Sequence, residues 1–146
     1  MFVGIIEPRY LYIMEEKGFV VDKTKGVIFD DKNFIPFYKI NYYLLYNNIL
    51  IIIGYTESGR SKIDNDNVYG IDIVKKKITW QIKNPRSKVY EIKTLSGSSL
   101  DMGDCHFTDM NVYENKLWIR SICNFGVIID ELTGEIKEIH QLNEFK

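Results

Sequence analysis

The chain has 146 residues and a net charge of −1, with 45% hydrophobic and 27% charged residues. This length suits one domain with a real core, and the balance excludes a disordered chain. A charge so near zero gives no overall pull toward nucleic acid or an anionic membrane.

In chain order, residues 2–6 and Tyr10-Leu11-Tyr12-Ile13-Met14 read as the first two strands. The start, Met1 to Glu7, has no basic segment, and its apolar run is too short for a signal peptide. Phe19-Val20-Val21-Asp22 then leads through a polar turn to Gly26 and Ile28. Apolar runs at Ile40–Tyr46 and Ile49–Ile53 flank Asn47-Asn48, a hairpin turn because asparagine tolerates positive φ. The turn also divides Tyr42–Gly54, which is too short for a membrane span. Tyr69-Gly70-Ile71-Asp72 leads to Lys76 and Ile78. The segment 83–106 is long for a link; Val89-Tyr90-Glu91-Ile92 is a candidate strand, and only the turns after Pro85 suit a short helix. Asn111-Val112-Tyr113, the turn Glu114-Asn115 and Lys116-Leu117-Trp118-Ile119 come next. Val127-Ile128-Ile129-Asp130 follows, leading to Gly134 and Ile136.

The same pattern has thus occurred three times, with aspartates at 22, 72 and 130, spaced 50 (72 − 22) and 58 (130 − 72) residues apart. Each aspartate is expected to start a hairpin and to bond back to turn amides, with Val21, Ile71 and Ile129 buried at equivalent positions. The composition agrees with strands: alanine, the best helix former, is absent, while tyrosine and phenylalanine number ten and eight. The same bias follows from an AT-rich gene, which suits a mobile bacterial locus.

Asp130-Glu131-Leu132-Thr133-Gly134 and Trp80 resemble the quinoprotein-type β-propeller blade, whose consensus is an apolar strand, Asp, a Thr-Gly turn and a Trp-bearing strand. Lys75-Lys76 departs from the Thr-Gly turn, and the first copy lacks the tryptophan. The resemblance implies an all-β single domain over 1–146, an open partial β-propeller of about three antiparallel four-stranded blades. Trp80 and Trp118 are expected to fill the wedges between blades. A ring normally takes at least four blades, so three leave edges to be covered or bound.

No catalytic constellation emerges. Cys105 and His106 are neighbours on a strand and point to opposite faces. With Cys123 they lack zinc-ligand spacing, so no metal and no cofactor are expected. Both cysteines are expected as reduced thiols in the cytoplasm, and His140 as a surface or edge residue. Phosphate-binding glycine loops are absent, and Lys75-Lys76-Lys77 reads as a solvated hairpin tip. From Thr94 to Asn115 there is no lysine or arginine, while Asp101, Asp104, Asp109 and Glu114 lie within. In four-stranded blades the links 15–18, 30–39, 55–67, 83–106 and 121–125 share one face. That face collects Glu15, Glu16, Asp30, Asp31, Glu57, Asp64, Asp66, Asp101 and Asp104. Partner binding is expected from Glu57, Asp64, Asp66, Asp101 and Asp104, with Tyr55 and Met102 adding apolar contact.

This profile resembles bacterial immunity proteins, the cognate inhibitors of contact-dependent growth-inhibition and other polymorphic toxins. The resemblance implies a cytoplasmic protein, monomeric when free, without enzymatic activity. It would neutralise a toxin domain, often a nuclease, by covering the active site with acidic and aromatic residues. The alternative is a propeller-like scaffold or ligand-binding module that self-associates. Membrane and nucleic-acid partners are not expected.

Overall fold

The computed structural model describes residues 17–56, 65–85 and 105–142. The expected strands at 2–6, 10–14 and 89–92, and the short helix after Pro85, lie outside them. Among the described residues there are eleven strands and no helix. The first sheet contains β1 (Val20–Asp22), β2 (Gly26–Ile28) and β3 (Phe34–Pro36). The second contains β4 (Lys39–Tyr46), β5 (Ile49–Tyr55), β6 (Val68–Asp72) and β7 (Lys77–Gln81). The third contains β8 (Phe107–Tyr113), β9 (Lys116–Ser121), β10 (Phe125–Ile129) and β11 (Ile136–Gln141). Every pairing is antiparallel between strands consecutive in the chain.

The second sheet is the middle layer, and β5 shows why. Its residues alternate between faces, yet every one from Ile49 to Gly54 is buried. Ile49, Ile51 and Ile53 join Phe107, Leu117, Ile119 and Val127 of the third sheet. Leu50 and Ile52 join Val21 and Val27 of the first sheet, together with Phe19 and Phe37. A continuous apolar run therefore fits a strand covered on both sides.

Trp80 fills the space between the second and third sheets, as expected. It is 7% exposed, and its indole Nε1 donates to the carbonyl of Glu131 at 2.7 Å. A Cβ at Gly70 would lie 2.1 Å from Trp80 Cε2, and one at Gly134 2.5 Å from Cε3. Glycine on both sides is therefore what admits the ring. Trp118 departs from the expectation. It is half-buried on the outward face of the third sheet, its ring 5.0 Å from that of His140. The strand parity explains this: Leu117 and Ile119 point into the core, so Trp118 between them points away.

The three aspartates do begin hairpins, and Val21, Ile71 and Ile129 are buried. Asp22 Oδ1 accepts from the amides of Thr24 and Lys25, Asp72 Oδ1 from those of Val74 and Lys75, and Asp130 Oδ1 from that of Leu132. Their places in the molecule differ, however. The turn after Asp22 meets the start of β4, where Ile40 N donates to the carbonyl of Lys23 at 2.9 Å. The turns after Asp72 and Asp130 open at the opposite end, the end where β4 finishes. In the first sheet it is Asp30, in the β2–β3 turn, that lies at their end: Lys76 Nζ reaches Asp30 Oδ2 at 3.4 Å. This corrects the assignment of 30–39 to a single loop on the face of the long links. Phe34–Pro36 is a strand, and Asp30 and Asp31 sit at the other end.

The reduced-thiol expectation is also corrected. Cys105 and Cys123 form a disulfide, their Cα atoms 5.2 Å apart, because β8 and β10 begin at the same end of the third sheet. No helix of the described residues is long and apolar enough to cross a membrane.

Two stability outcomes follow from this packing. Trp80→Ala should cost roughly 3–5 kcal/mol in urea denaturation and Trp118→Ala clearly less, because only the first removes a buried ring. Replacing Cys105 and Cys123 together by serine should cost about 3 kcal/mol, the typical value for a loop of this size. An unchanged midpoint in either case contradicts the assignment.

Candidate functional site

The two ends of the layered sheets have different chemistry. At the end of the long links, buried amide side chains tie the second sheet to the third. Asn67 is fully buried, and it bonds Phe107 as a neighbouring strand would. Its Nδ2 donates to the Phe107 carbonyl and its Oδ1 accepts the Phe107 amide, both at 2.9 Å. Asn65 Oδ1 accepts from the amide of Cys105 at 3.1 Å. Asn84 Nδ2 donates to the carbonyls of Asn65 and Cys105 at 2.7 and 2.9 Å. Ser121 Oγ donates to the Cys105 carbonyl at 3.1 Å, next to the disulfide. These bonds satisfy backbone groups that a strand end would otherwise leave unpaired in the core.

Two residues of the expected acidic interface, Asp66 and Tyr55, are described, and both lie at this end. Asp66 is held inside the clamp: its Oδ1 accepts from the amide of Asn84 and its carbonyl from Gln81 Nε2, each at 2.8 Å. Tyr55 is half-buried at the end of β5, with its carbonyl accepting from the amide of Tyr38. Glu57, Asp64, Asp101, Met102 and Asp104 lie outside the described residues. The two that are described thus have structural partners.

The opposite end consists of five short turns joined to one another. Asp30 of the β2–β3 turn pairs with Lys76 of the β6–β7 turn. Ile73 of that turn donates its amide to the carbonyl of Asn48, in the β4–β5 turn, at 3.2 Å. Asn47 Nδ2 continues to Glu131 Oε2 of the β10–β11 turn at 3.1 Å. Tyr46 OH completes the chain by donating to the carbonyl of Asn115, in the β8–β9 turn, at 3.3 Å. Asn47 and Asn115 both take positive φ, 57° and 61°, as their turns require.

Electrostatics stiffen two of these turns. Asn33's side-chain amide, with the backbone amides of Lys32 and Asn33, holds the Asp30 carboxyl down to about 2. The backbone amide of Lys75, then that of Val74, lowers Asp72. From these fixed turns three large apolar side chains project into solvent. Val74 is 72% exposed, while Tyr113 and Leu132 are each 63% exposed, the highest values for large apolar residues among those described. Val74 and Leu132 occupy the same position, two residues after the turn aspartate. Apolar residues at that polar-turn position were the available sequence signal, and they carry no charge to draw attention. The same turns and the strand ends beside them carry Asp31, Glu114 and Glu131 as well as Lys75, Lys77 and Lys116, so the surface bears both signs.

His140 is exposed on β11, with its Nε2 2.8 Å from Glu138 Oε1. Among the described residues, no group of three or more His, Cys, Asp or Glu side chains is placed to hold a metal ion. Comparison of the chain with protein-family models, with curated proteins and with solved structures finds no match.

The Asp30 carboxyl tests the turn network through pH. Its folded value lies below the ordinary 3.8. Its contribution is therefore complete above that pH and disappears as the pH falls toward about 2. Thermal unfolding followed across this window should show a shallower acid limb for Asp30→Asn than for the native chain. Parallel acid limbs would show that Asp30 does not support the fold.

Proposed function

We propose that this chain is a protein-binding inhibitor, of the kind that gives immunity to a bacterial toxin, and that it binds through its five-turn end. One observation carries the reading: the three most exposed large apolar side chains among the described residues share that end. Isolated exposed apolar residues are ordinary, but three on interconnected turns form a candidate interface. Binding proteins gain affinity by fixing contact residues in advance, and the turn-to-turn bonds supply that order before a partner arrives. Glu114 and Glu131 beside Tyr113 and Leu132 offer the carboxylate and aromatic contacts suited to a basic cleft, such as that of a nuclease.

The shape supports a related reading of the fold. The second and third sheets are four-stranded meanders stacked with their turn ends together, and β4 lies next to β8. That arrangement supports successive propeller-like blades. The first sheet fits the series as a blade whose third and fourth strands are β2 and β3.

Val74→Asp and Leu132→Asp should each weaken the complex by roughly tenfold or more, since buried apolar anchors dominate interface energy. Folding should change by no more than about 0.5 kcal/mol, because both side chains are exposed. The measurement is affinity for, and survival against, the toxin encoded beside this gene. Full protection and native affinity in both variants would remove the turn end from the interface.

A further inference from the structure

The turns after Asp72 and Asp130 share one backbone form and carry opposite charge. In each, the aspartate carbonyl accepts from the amide four residues on, Lys76 N at 2.7 Å and Gly134 N at 2.8 Å. Lys76 and Gly134 both take positive φ, 59° and 75°. Val74 and Leu132 therefore stand at the same place, as do Lys77 and Glu135. From Asp72 to Lys77 there are one carboxylate and three lysines, whereas from Asp130 to Glu135 there are three carboxylates and no base.

The two turns are neighbours. Ile73 of the first bonds Asn48, and Glu131 of the second bonds Asn47, so the uncharged β4–β5 turn lies between them. Trp80, on the strand that follows the first turn, donates to the carbonyl of Glu131 in the second. Among the described residues no ion pair joins the cationic turn to the anionic one. Lys76 pairs with Asp30 of the first sheet instead, and Glu131 accepts from Asn47. Lys75, Lys77 and Glu135 are exposed.

We propose that this polarity sets the orientation of the partner protein. The partner's contact surface carries carboxylates against Lys75 and Lys77, basic groups against Glu131 and Glu135, and an apolar hollow at each turn. The proposal rests on the turn-end reading and adds the partner's charge pattern to it. Valine and leucine on matching turns are alike in chemistry, so apolar contact alone would let a partner dock one turn out of register. Charge removes that ambiguity, because a shifted or reversed partner brings like charges together. A uniformly basic cleft would be repelled by Lys75 and Lys77, so the partner is bipolar rather than only cationic.

The test measures association of the full chain with the toxin encoded beside this gene, at low and high salt. Lys75→Glu with Lys77→Glu, and separately Glu131→Gln with Glu135→Lys, should each slow association roughly tenfold at low salt, within the range of electrostatic steering. Glutamine at 131 keeps an acceptor for Asn47. The losses should shrink at high salt, where exposed charges are screened. Both sets combined leave the net charge almost unchanged, yet should slow association further, because both sides of the partner then meet like charge. A combined variant that regains the native rate overturns the proposal, since net charge alone would then matter. Either set leaving the rate unchanged at low salt also overturns it. Thermal unfolding checks that each variant is folded. Should a reversal unfold the chain, Lys75→Gln with Lys77→Gln and Glu131→Gln with Glu135→Gln make the same comparison with a smaller charge change, and native rates again overturn the proposal. Val74→Asp and Leu132→Asp separate the two readings. If they weaken binding while the charge variants do not, only the polarity fails; if they too keep native affinity, the turn-end reading fails and the polarity with it.

Discussion

Strand β5 must be covered on both faces, and most of the architecture answers that demand. Five consecutive apolar residues, Ile49 to Ile53, are each at most 4% exposed. Burying each of them contributes roughly 1.5–3 kcal/mol relative to exposure. One covering layer would leave alternate members in water. The first sheet supplies Val21 and Val27 on one side, and the third supplies Ile119 and Val127 on the other. Three layers are therefore the smallest arrangement that satisfies this one strand.

Layering leaves backbone groups unpaired where strands finish, and the two ends resolve that differently. At the link end, long connections bring Asn65, Asn67 and Asn84 inward, and their amides replace missing strand neighbours. The disulfide adds a covalent tie at the same place. At the turn end, each connection is only a few residues long and closes on itself. Aspartate carboxylates there accept turn amides, and the link from one turn to the next passes through Asn47, Asn48 and Tyr46. The clamp turns its amides inward onto backbone groups, with only Asn84 Oδ1 left buried without a partner among the described residues, whereas a row of closed turns leaves side chains projecting. The most exposed large apolar side chains among the described residues accordingly lie at the turn end.

Local features were legible because they depend on near neighbours. The all-β class, the Asn47-Asn48 turn, the three hairpin aspartates and the burial of Val21, Ile71 and Ile129 all follow from periodicity and turn chemistry. Trp80 between sheets was legible too, since its ring had to find cover. Trp118 shows the limit: the same residue type, one strand position removed from the buried parity, faces solvent. Asp22 shows another, because its turn has the expected bonds yet opens at the opposite end from Asp72 and Asp130.

What the sequence determined by itself is the all-β class, where most of the described hairpins reverse, and which alternate residues seek a core, while the strand Phe34–Pro36 escaped it. Those are short-range consequences of backbone geometry and side-chain polarity. Tertiary structure alone decided which way the first sheet runs, that Cys105 meets Cys123, and that Asp66 is spent inside a clamp. It also decided that Val74, Tyr113 and Leu132 project from one end. Each of these depends on residues far apart in the chain. Their pairing is chosen by the simultaneous burial of both faces of the middle sheet, and no local pattern encodes that choice.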